Sequence, residues 1–288
     1  MCITGKYLDG MILVVEEEYA IQLMQTRALE FVNLGDRFEE VPCPVCGSTE
    51  YTTLATHQEF GEVGECHGCG VLYAYKRYTK DAYEILCRFY TPTHIADLEE
   101  NARQGPRRIE ESNYIIDMIE TYVPRGKLLD VGASTCDIPV YARCRGWEVR
   151  ATDLSIFMQK WANEIVYVEF TRGYIEDVEL DDKELDAVVL RHVIEHLHDP
   201  RSDLSILHRA LKDGGILYIE TPIHAENKEE FISNHMLPYH LVNFTPDTLC
   251  KLLVESGFTI EVVERQDSED SADAVMVIAK KGERNGDE

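Results

Sequence analysis

From about residue 107 onward, short apolar runs alternate with amphipathic stretches, and that order predicts an α/β fold with a mostly parallel sheet. Apolar and β-branched runs place strands at residues 127–131, 148–152, 166–170, 186–190, 215–220, 259–265 and 274–279. Helical spacing fills the gaps at 138–145, 155–164, 204–211 and 246–256, the last behind a Thr245 cap with Pro246 in the first turn. Ahead of the first strand, residues 107–122 read as a helix with Ile109, Ile115, Ile116 and Ile119 inward. Seven strands with the last two close together predict an antiparallel hairpin at one sheet edge.

The first forty residues form an extension. Within it Ile21, Met24, Ala28 and Phe31 recur at helical spacing, giving a face expected to pack on the chain's own core, with a homodimer contact as the alternative. The early run Met11–Val15 meets three glutamates at once and is far too short to span a bilayer. No basic leader precedes it, so no secretion and no membrane are expected.

Two tight turns follow, Cys43-Pro-Val-Cys46-Gly and Cys66-His-Gly-Cys69-Gly. This spacing is that of a zinc ribbon, with Gly47 and Gly70 letting the backbone amides turn toward sulfur. Four thiolates from Cys43, Cys46, Cys66 and Cys69 leave a metal no open position, so the role expected is structural. His67, inside the second turn, is expected to be exposed and no ligand. The expected organisation is an extension over 1–40, the ribbon over 41–75, an aromatic linker or cap over 76–106, and an α/β domain over 107–283.

With 44% hydrophobic residues, 288 residues can bury a full core. The nine cysteines, an odd number, fit a reducing compartment better than a disulfide framework, which places the chain in the cytoplasm. A formal charge of −25 repels polyanions, so nucleic acid is a disfavoured partner.

Ligands of open α/β sheets sit beyond the carboxyl ends of the strands. The first such turn reads Asp130-Val-Gly132-Ala133-Ser134-Thr-Cys136-Asp, where Gly132 permits a sharp turn into a helix start. The second strand ends Ala151-Thr-Asp153-Leu154-Ser, an acid about twenty residues on that can grip ribose hydroxyls. Further on come Gly173-Tyr-Ile-Glu176-Asp177, Val193-Ile-Glu-His-Leu-His-Asp-Pro200, Leu211-Lys-Asp-Gly-Gly-Ile-Leu-Tyr-Ile-Glu-Thr-Pro222 and His240-Leu-Val-Asn-Phe-Thr. The last helix ends Glu255-Ser-Gly-Phe258.

In these motifs and their order, residues 107–281 resemble the class I S-adenosylmethionine-dependent methyltransferases. The resemblance implies a Rossmann-like seven-stranded methyltransferase sheet with its last strand antiparallel, behind the small N-terminal ribbon. It implies S-adenosylmethionine as cofactor, with Asp130, Gly132, Ala133 and Ser134 around the methionine part, and Asp153 with Leu154 at the ribose. Glu176 or Asp177 would meet the adenine amino group, and Arg191 with His192 would line the floor beside the sulfonium. The chain departs from the pattern at Ser134 and Cys136, where the family carries glycines; a side chain at 136 is expected to narrow the approach to the cofactor.

A second constellation is His192, Glu195, His196 and His240, which a turn leaving the fourth strand and the segment before the last helix can bring to one cleft. It is similar to the divalent-ion sites of small-RNA 2′-O-methyltransferases and some ubiquinone-pathway O-methyltransferases. Such an ion lowers the acceptor hydroxyl's pKa; the alternative is a single histidine acting as general base. The ribbon-first layout looks like methyltransferases of sugar, surface-glycan or secondary-metabolite pathways. The activity expected is therefore O-methylation of a small hydroxylated acceptor, with RNA 2′-O-methylation or a catalytically weak binding protein as alternatives.

Overall fold

The computed structural model describes residues 37–88, 98–223, 228, 232, 236–266 and 273–282. The helix expected over residues 16–34, and any dimer contact on it, lies outside them, as do Phe89, Tyr90, His224 and His235.

The larger sheet has seven strands: β5 (Lys127–Val131), β6 (Glu148–Asp153), β7 (Glu169–Arg172), β8 (Leu185–Arg191), β9 (Leu211–Pro222), β11 (Phe258–Gln266) and β12 (Ala274–Lys281). Their spatial order is β11-β12-β9-β8-β5-β6-β7. The five strands from β7 to β9 run parallel, whereas β12 is antiparallel to both β9 and β11. The order reverses beside β5, and the crevice beyond the carboxyl ends of β5 and β8 is where such a sheet takes a ligand.

Strand alternation divides the core in two. Leu129, Val131, Val188, Leu190, Leu217 and Ile219 face one layer, while Leu128, Val149, Val189, Ile216 and Tyr218 face the other. Helices α2 (Leu98–Glu120) and α3 (Asp137–Cys144) cover the second face. On the first lie α5 (Pro200–Ala210) and α6 (Pro246–Glu255). Helix α4 (Ile156–Trp161) follows β6, with Ser155 as its cap.

The smaller sheet is antiparallel, in the order β1 (Phe38–Glu40), β4 (Leu72–Tyr78), β3 (Gly61–Cys66), β2 (Tyr51–His57). A two-residue strand β10 (Val242–Asn243) from the far end of the chain also pairs with β4. Helix α1 (Lys80–Arg88) leaves this sheet directly. The first core layer continues into it through Cys43, Cys66, Tyr73 and Tyr83, so the two sheets share one buried cluster.

Three expectations need correction. Ile109 is 42% exposed, whereas Ile115, Ile116 and Ile119 are buried; at about 120° round the helix from Ile115 it lies just beyond Ile116, at the margin of the inward face. The strand expected from residue 166 begins at Glu169, because residues 162–166 extend α4 as a π-turn whose last carbonyls accept from Arg143 at 2.6 and 2.9 Å. Helix α5 starts at Pro200, four residues early, because the Asp199 carboxylate caps the Ser202 amide at 3.1 Å.

Candidate active site

The chain leaves β5 at Gly132, whose φ is +65° and whose Cα faces Val193 so closely that a Cβ would meet its Cγ2 at 2.5 Å. Only glycine fits both conditions. Ser134 and Cys136 follow with φ of 46° and 59°, so the loop curls before α3 begins. This curl is tied to the neighbouring strand: the Ala133 amide donates to the Thr152 carbonyl at 3.0 Å, and the Ser134 amide to Asp153 Oδ2 at 3.1 Å. The Ser155 amide holds Asp153 Oδ1 at 2.9 Å, and the Gly173 amide donates to the Asp153 carbonyl at 3.1 Å.

A cavity of about 570 Å³ opens over these residues, a size usual for a small-ligand site. Asp130, Gly132, Ala133, Ser134, Asp153, Leu154 and Arg191 all line it, together with His192, Glu195, His196 and His240. Burial holds the Asp130 carboxyl well above its ordinary range, and the nearby Arg191 charge opposes that shift.

Glu176 and Asp177 are not brought to the cavity. Glu176 pairs outward with Lys80 at 2.8 Å. The Asp177 carboxylate turns back to accept the Tyr174 amide at 2.8 Å, capping the short turn that carries it. Tyr174 and Ile175 line the wall instead. Cys136 does not narrow the cavity either: it is fully buried among Ala133, Ile138 and Trp147 on the core side of the loop, and absent from the lining.

Also lining the cavity, His192 leaves β8 with φ of 53°, a left-handed conformation unusual for a non-glycine residue and frequent at functional sites. This turn sets its Nε2 at 3.2 Å from Glu220 Oε1. Glu220 also accepts from Tyr218 Oη at 2.9 Å and from Arg191 Nε at 3.2 Å. Burial opposes its ionisation, but His192, Arg191 and Tyr218 outweigh that and hold its pKa at about 2. For His192, burial opposes the imidazolium, yet Glu220 and Glu195 outweigh it and raise the pKa above the ordinary value.

Glu195, His196 and His240 present one ligand atom each, all within 4.8 Å of one another. Glu195 is 1% exposed; its Oε2 accepts from Thr221 Oγ1 at 2.9 Å, while Oε1 is buried with no hydrogen-bond partner. A buried carboxylate oxygen in that state costs free energy unless a cation or ligand group answers it.

The four cysteines converge as well. Their sulfurs lie within 4.8 Å of one another, with Cys43–Cys69 at 3.6 Å and Cys46–Cys66 at 3.4 Å. Each turn is closed by a bond from Gly47 or Gly70, both at positive φ, to the carbonyl of the first cysteine at 2.8 Å. Burial raises the Cys43 thiol and pushes Cys69 up to about 11, so these sulfurs carry charge at neutral pH only when a cation compensates it. His67 is exposed and meets Thr52 Oγ1 at 2.8 Å.

Several site residues carry no signal in the sequence. Arg108, Tyr83 and Tyr239 line the cavity from elements outside the motif turns. Glu220 stood inside a quoted motif, and its place at the end of a strand was the signal that could have found it.

Comparison with known proteins fits this geometry. A family model described as a methyltransferase domain matches residues 102–263. The chain belongs to that methyltransferase-domain family. An uncharacterized methyltransferase of Staphylococcus carnosus is 26% identical over 125 residues, which span 42% of this chain and 60% of that protein. A demethylmenaquinone methyltransferase of Chlorobaculum tepidum is 28% identical over 107 residues, 35% of this chain and 43% of that one. The chain thus spans less than two thirds of these curated relatives. Among solved structures, a Burkholderia thailandensis 1,6-didemethyltoxoflavin-N1-methyltransferase, with 1,6-didemethyltoxoflavin and S-adenosylhomocysteine bound, superposes with a TM-score of 0.50. It is 18% identical and is covered over 79% of its length by 61% of this chain. That likeness carries the fold alone. Among the described residues no helix is long and apolar enough to cross a membrane.

Proposed function

We propose that the methyltransferase domain moves the methyl group of S-adenosylmethionine to a hydroxyl of a small acceptor, such as a sugar, a glycan precursor or a secondary metabolite. The observation that carries this reading is one cavity lined both by Gly132 and Asp153 and by His192, Glu195, His196 and His240.

The residues fit the cofactor. Gly132 leaves a cradle that a Cβ would fill, and Asp153, fixed by two amides, offers a carboxylate for two ribose hydroxyls. Asp130 and Arg108 line the same cavity and suit an amino-acid head group that carries both an ammonium and a carboxylate. When bound, S-adenosylmethionine supplies a methyl group already activated on a sulfonium, so the chain's task is alignment and proton removal. His192, held through Nε2 by Glu220, would take the acceptor's proton on its other ring nitrogen.

Glu195, His196 and His240 would hold a divalent ion, which would lower the acceptor's pKa. Two imidazoles and one carboxylate suit Mn, Fe or Zn better than Mg. Cys43, Cys46, Cys66 and Cys69 would hold structural zinc. The same Glu195–His196–His240 grouping supports 2′-O-methylation of RNA as a second reading, against which the net charge of −25 stands. The case for a weak binding protein rests on Ser134 and Cys136; Cys136 lies outside the cavity, whereas Ser134 lines it.

The test is S-adenosylhomocysteine production by purified protein across panels of hydroxylated sugars, phenols and RNA ends. Turnover on a small hydroxylated acceptor that falls about 10²-fold in His192→Ala, with cofactor affinity unchanged, supports the reading. Turnover on amines alone, or none on any panel, contradicts it.

A further inference from the structure

Leu241, the residue after His240, is held from both sides. Its amide donates to the Glu195 carbonyl at 2.7 Å, and its own carbonyl accepts from the Ala74 amide at 2.8 Å. The next two residues pair with β4, Val242 opposite Tyr73 and Asn243 opposite Leu72. Just before β4, the Cys66 amide donates to the Val71 carbonyl at 3.0 Å. A run of backbone hydrogen bonds therefore leads from the second cysteine turn, through β4, to the segment carrying His240 and to the turn carrying Glu195.

Tyr83 makes a second link from the same sheet. It lies on α1, the helix that leaves β4, and its side chain is buried. Its hydroxyl donates to the Tyr239 carbonyl at 2.7 Å and lies 3.3 Å from His196 Nδ1. His196 Nδ1 is itself 2.9 Å from that carbonyl. A carbonyl can only accept, so the network assigns the histidine proton to Nδ1. Nε2 is then the bare nitrogen, and it faces Glu195 Oε1 at 3.9 Å.

The packing has no seam that could isolate these links. Cys43, Cys66, Tyr73, Tyr83, Ile194 and Leu241 belong to a single buried cluster. From the methyltransferase domain, the Arg201 guanidinium on α5 also reaches the Val45 carbonyl in the first cysteine turn. A small sheet whose core is continuous with its neighbour's loosens that neighbour when its own fastening is released.

We propose that the cysteine-bearing sheet is a positioning element of the acceptor end of the cavity: zinc on the four cysteines fastens β4, β4 sets the His240 segment, and Tyr83 sets the ring of His196. The inference rests on the zinc reading of the cysteines and is independent of which acceptor is methylated. Tyr83 acts through Tyr239 and His196, whereas the loop after β5 is tied to β6, the Ala133 amide to the Thr152 carbonyl and the Ser134 amide to Asp153.

The experiment compares the zinc-loaded full chain with two variants, Cys69→Ser and Tyr83→Phe, without turnover. Amide hydrogen exchange in Cys69→Ser is expected to quicken at least about tenfold at Ala74 and Leu241, and to stay within about threefold at Ala133 and Ser134. In Tyr83→Phe, which keeps the zinc, nitrogen NMR of the imidazoles is expected to show His196 losing its single Nδ1–H form. Unchanged exchange at Ala74 and Leu241 overturns the link through β4, and so does equal acceleration at all four amides. An unchanged His196 ring overturns the link through Tyr83. A full chain that takes up no zinc removable by Cys69→Ser overturns the proposal as a whole. Because none of these readouts needs an acceptor, each can succeed where the methyl-transfer assay fails.

Discussion

The Ser134 amide donates to the Asp153 carboxylate at 3.1 Å, joining the loop after β5 to the acid after β6. With the Ser155 amide on its other oxygen, that carboxylate is in place before any ligand arrives. Preorganisation of this kind means the acid's contribution to binding is spent on the ligand and not on ordering a side chain. Asp153→Ala is expected to weaken S-adenosylhomocysteine about 100-fold, equivalent to about 3 kcal/mol for two hydrogen bonds to a charged group. Calorimetric titration checks it below the melting transition, which is expected to fall as the Ser134 and Ser155 amides lose their acceptor.

The two departures from glycine in the loop have opposite weights. Cys136 points into the core, so Cys136→Ala is expected to leave cofactor affinity within about threefold and to cost about 1 kcal/mol of stability for the buried sulfur. Gly132→Ala is the contrasting change. Its Cβ would run into Val193 at a positive φ, and it is expected to cost about 1–3 kcal/mol and to weaken the cofactor as well. Chemical denaturation and the same titration separate the two cases.

A divalent ion at Glu195, His196 and His240 would answer Glu195 Oε1, which has no hydrogen-bond partner, and would therefore stabilise the folded chain. With the cysteines already zinc-loaded, added Mn²⁺ is expected to raise the melting temperature of the wild type by several degrees, about 1–3 kcal/mol at ion concentrations well above the Kd. Glu195→Gln is expected to remove the shift. An equal shift in the variant would place the ion elsewhere.

Asp203, in the first turn of α5, gives the stability a pH dependence. Burial lifts its pKa to about 7 from an ordinary 3.8, and Lys80 opposes the shift. The unfolded chain releases this proton near pH 4 while the folded chain keeps it until near pH 7. The group therefore costs nothing below pH 4, costs progressively more as pH rises to 7, and costs a constant amount above. Asp203→Asn is expected to gain about 2–4 kcal/mol at pH 8 and nothing at pH 4, measured by urea denaturation at both.

The parts of this molecule that are local in sequence were legible there. The seven strands follow from runs of apolar residues, and the turn at Gly132 and the acid at Asp153 follow from their places after strands. The cysteine turns were legible because two CxxC units at this spacing point to sulfurs that converge, and the four sulfurs do converge. What escaped are relationships made by topology. Tyr83 meets His196 across 113 residues, and no periodicity reports that. Glu220 faces His192 because β9 lies beside β8 with Glu220 opposite Arg191, a register that only the folded sheet reveals. Asp177 misled for a local reason: its carboxylate caps its own turn, a competing use of an acid that a motif does not distinguish from ligand binding. Ile109 misled because the helix begins well before residue 107 and its inward face is set by Ile115, Ile116 and Ile119.

The central claim is that an adenosyl sulfonium compound lodges between Gly132 and Asp153 with its sulfur toward His192. A crystal structure of the full chain with S-adenosylhomocysteine tests it most directly. The account predicts the ribose hydroxyls on the Asp153 carboxylate, Tyr174 and Ile175 beside the adenine, and the thioether sulfur on the side of His192 and Glu195. An empty crevice at saturating ligand, or the adenosine bound away from Asp153, would contradict it.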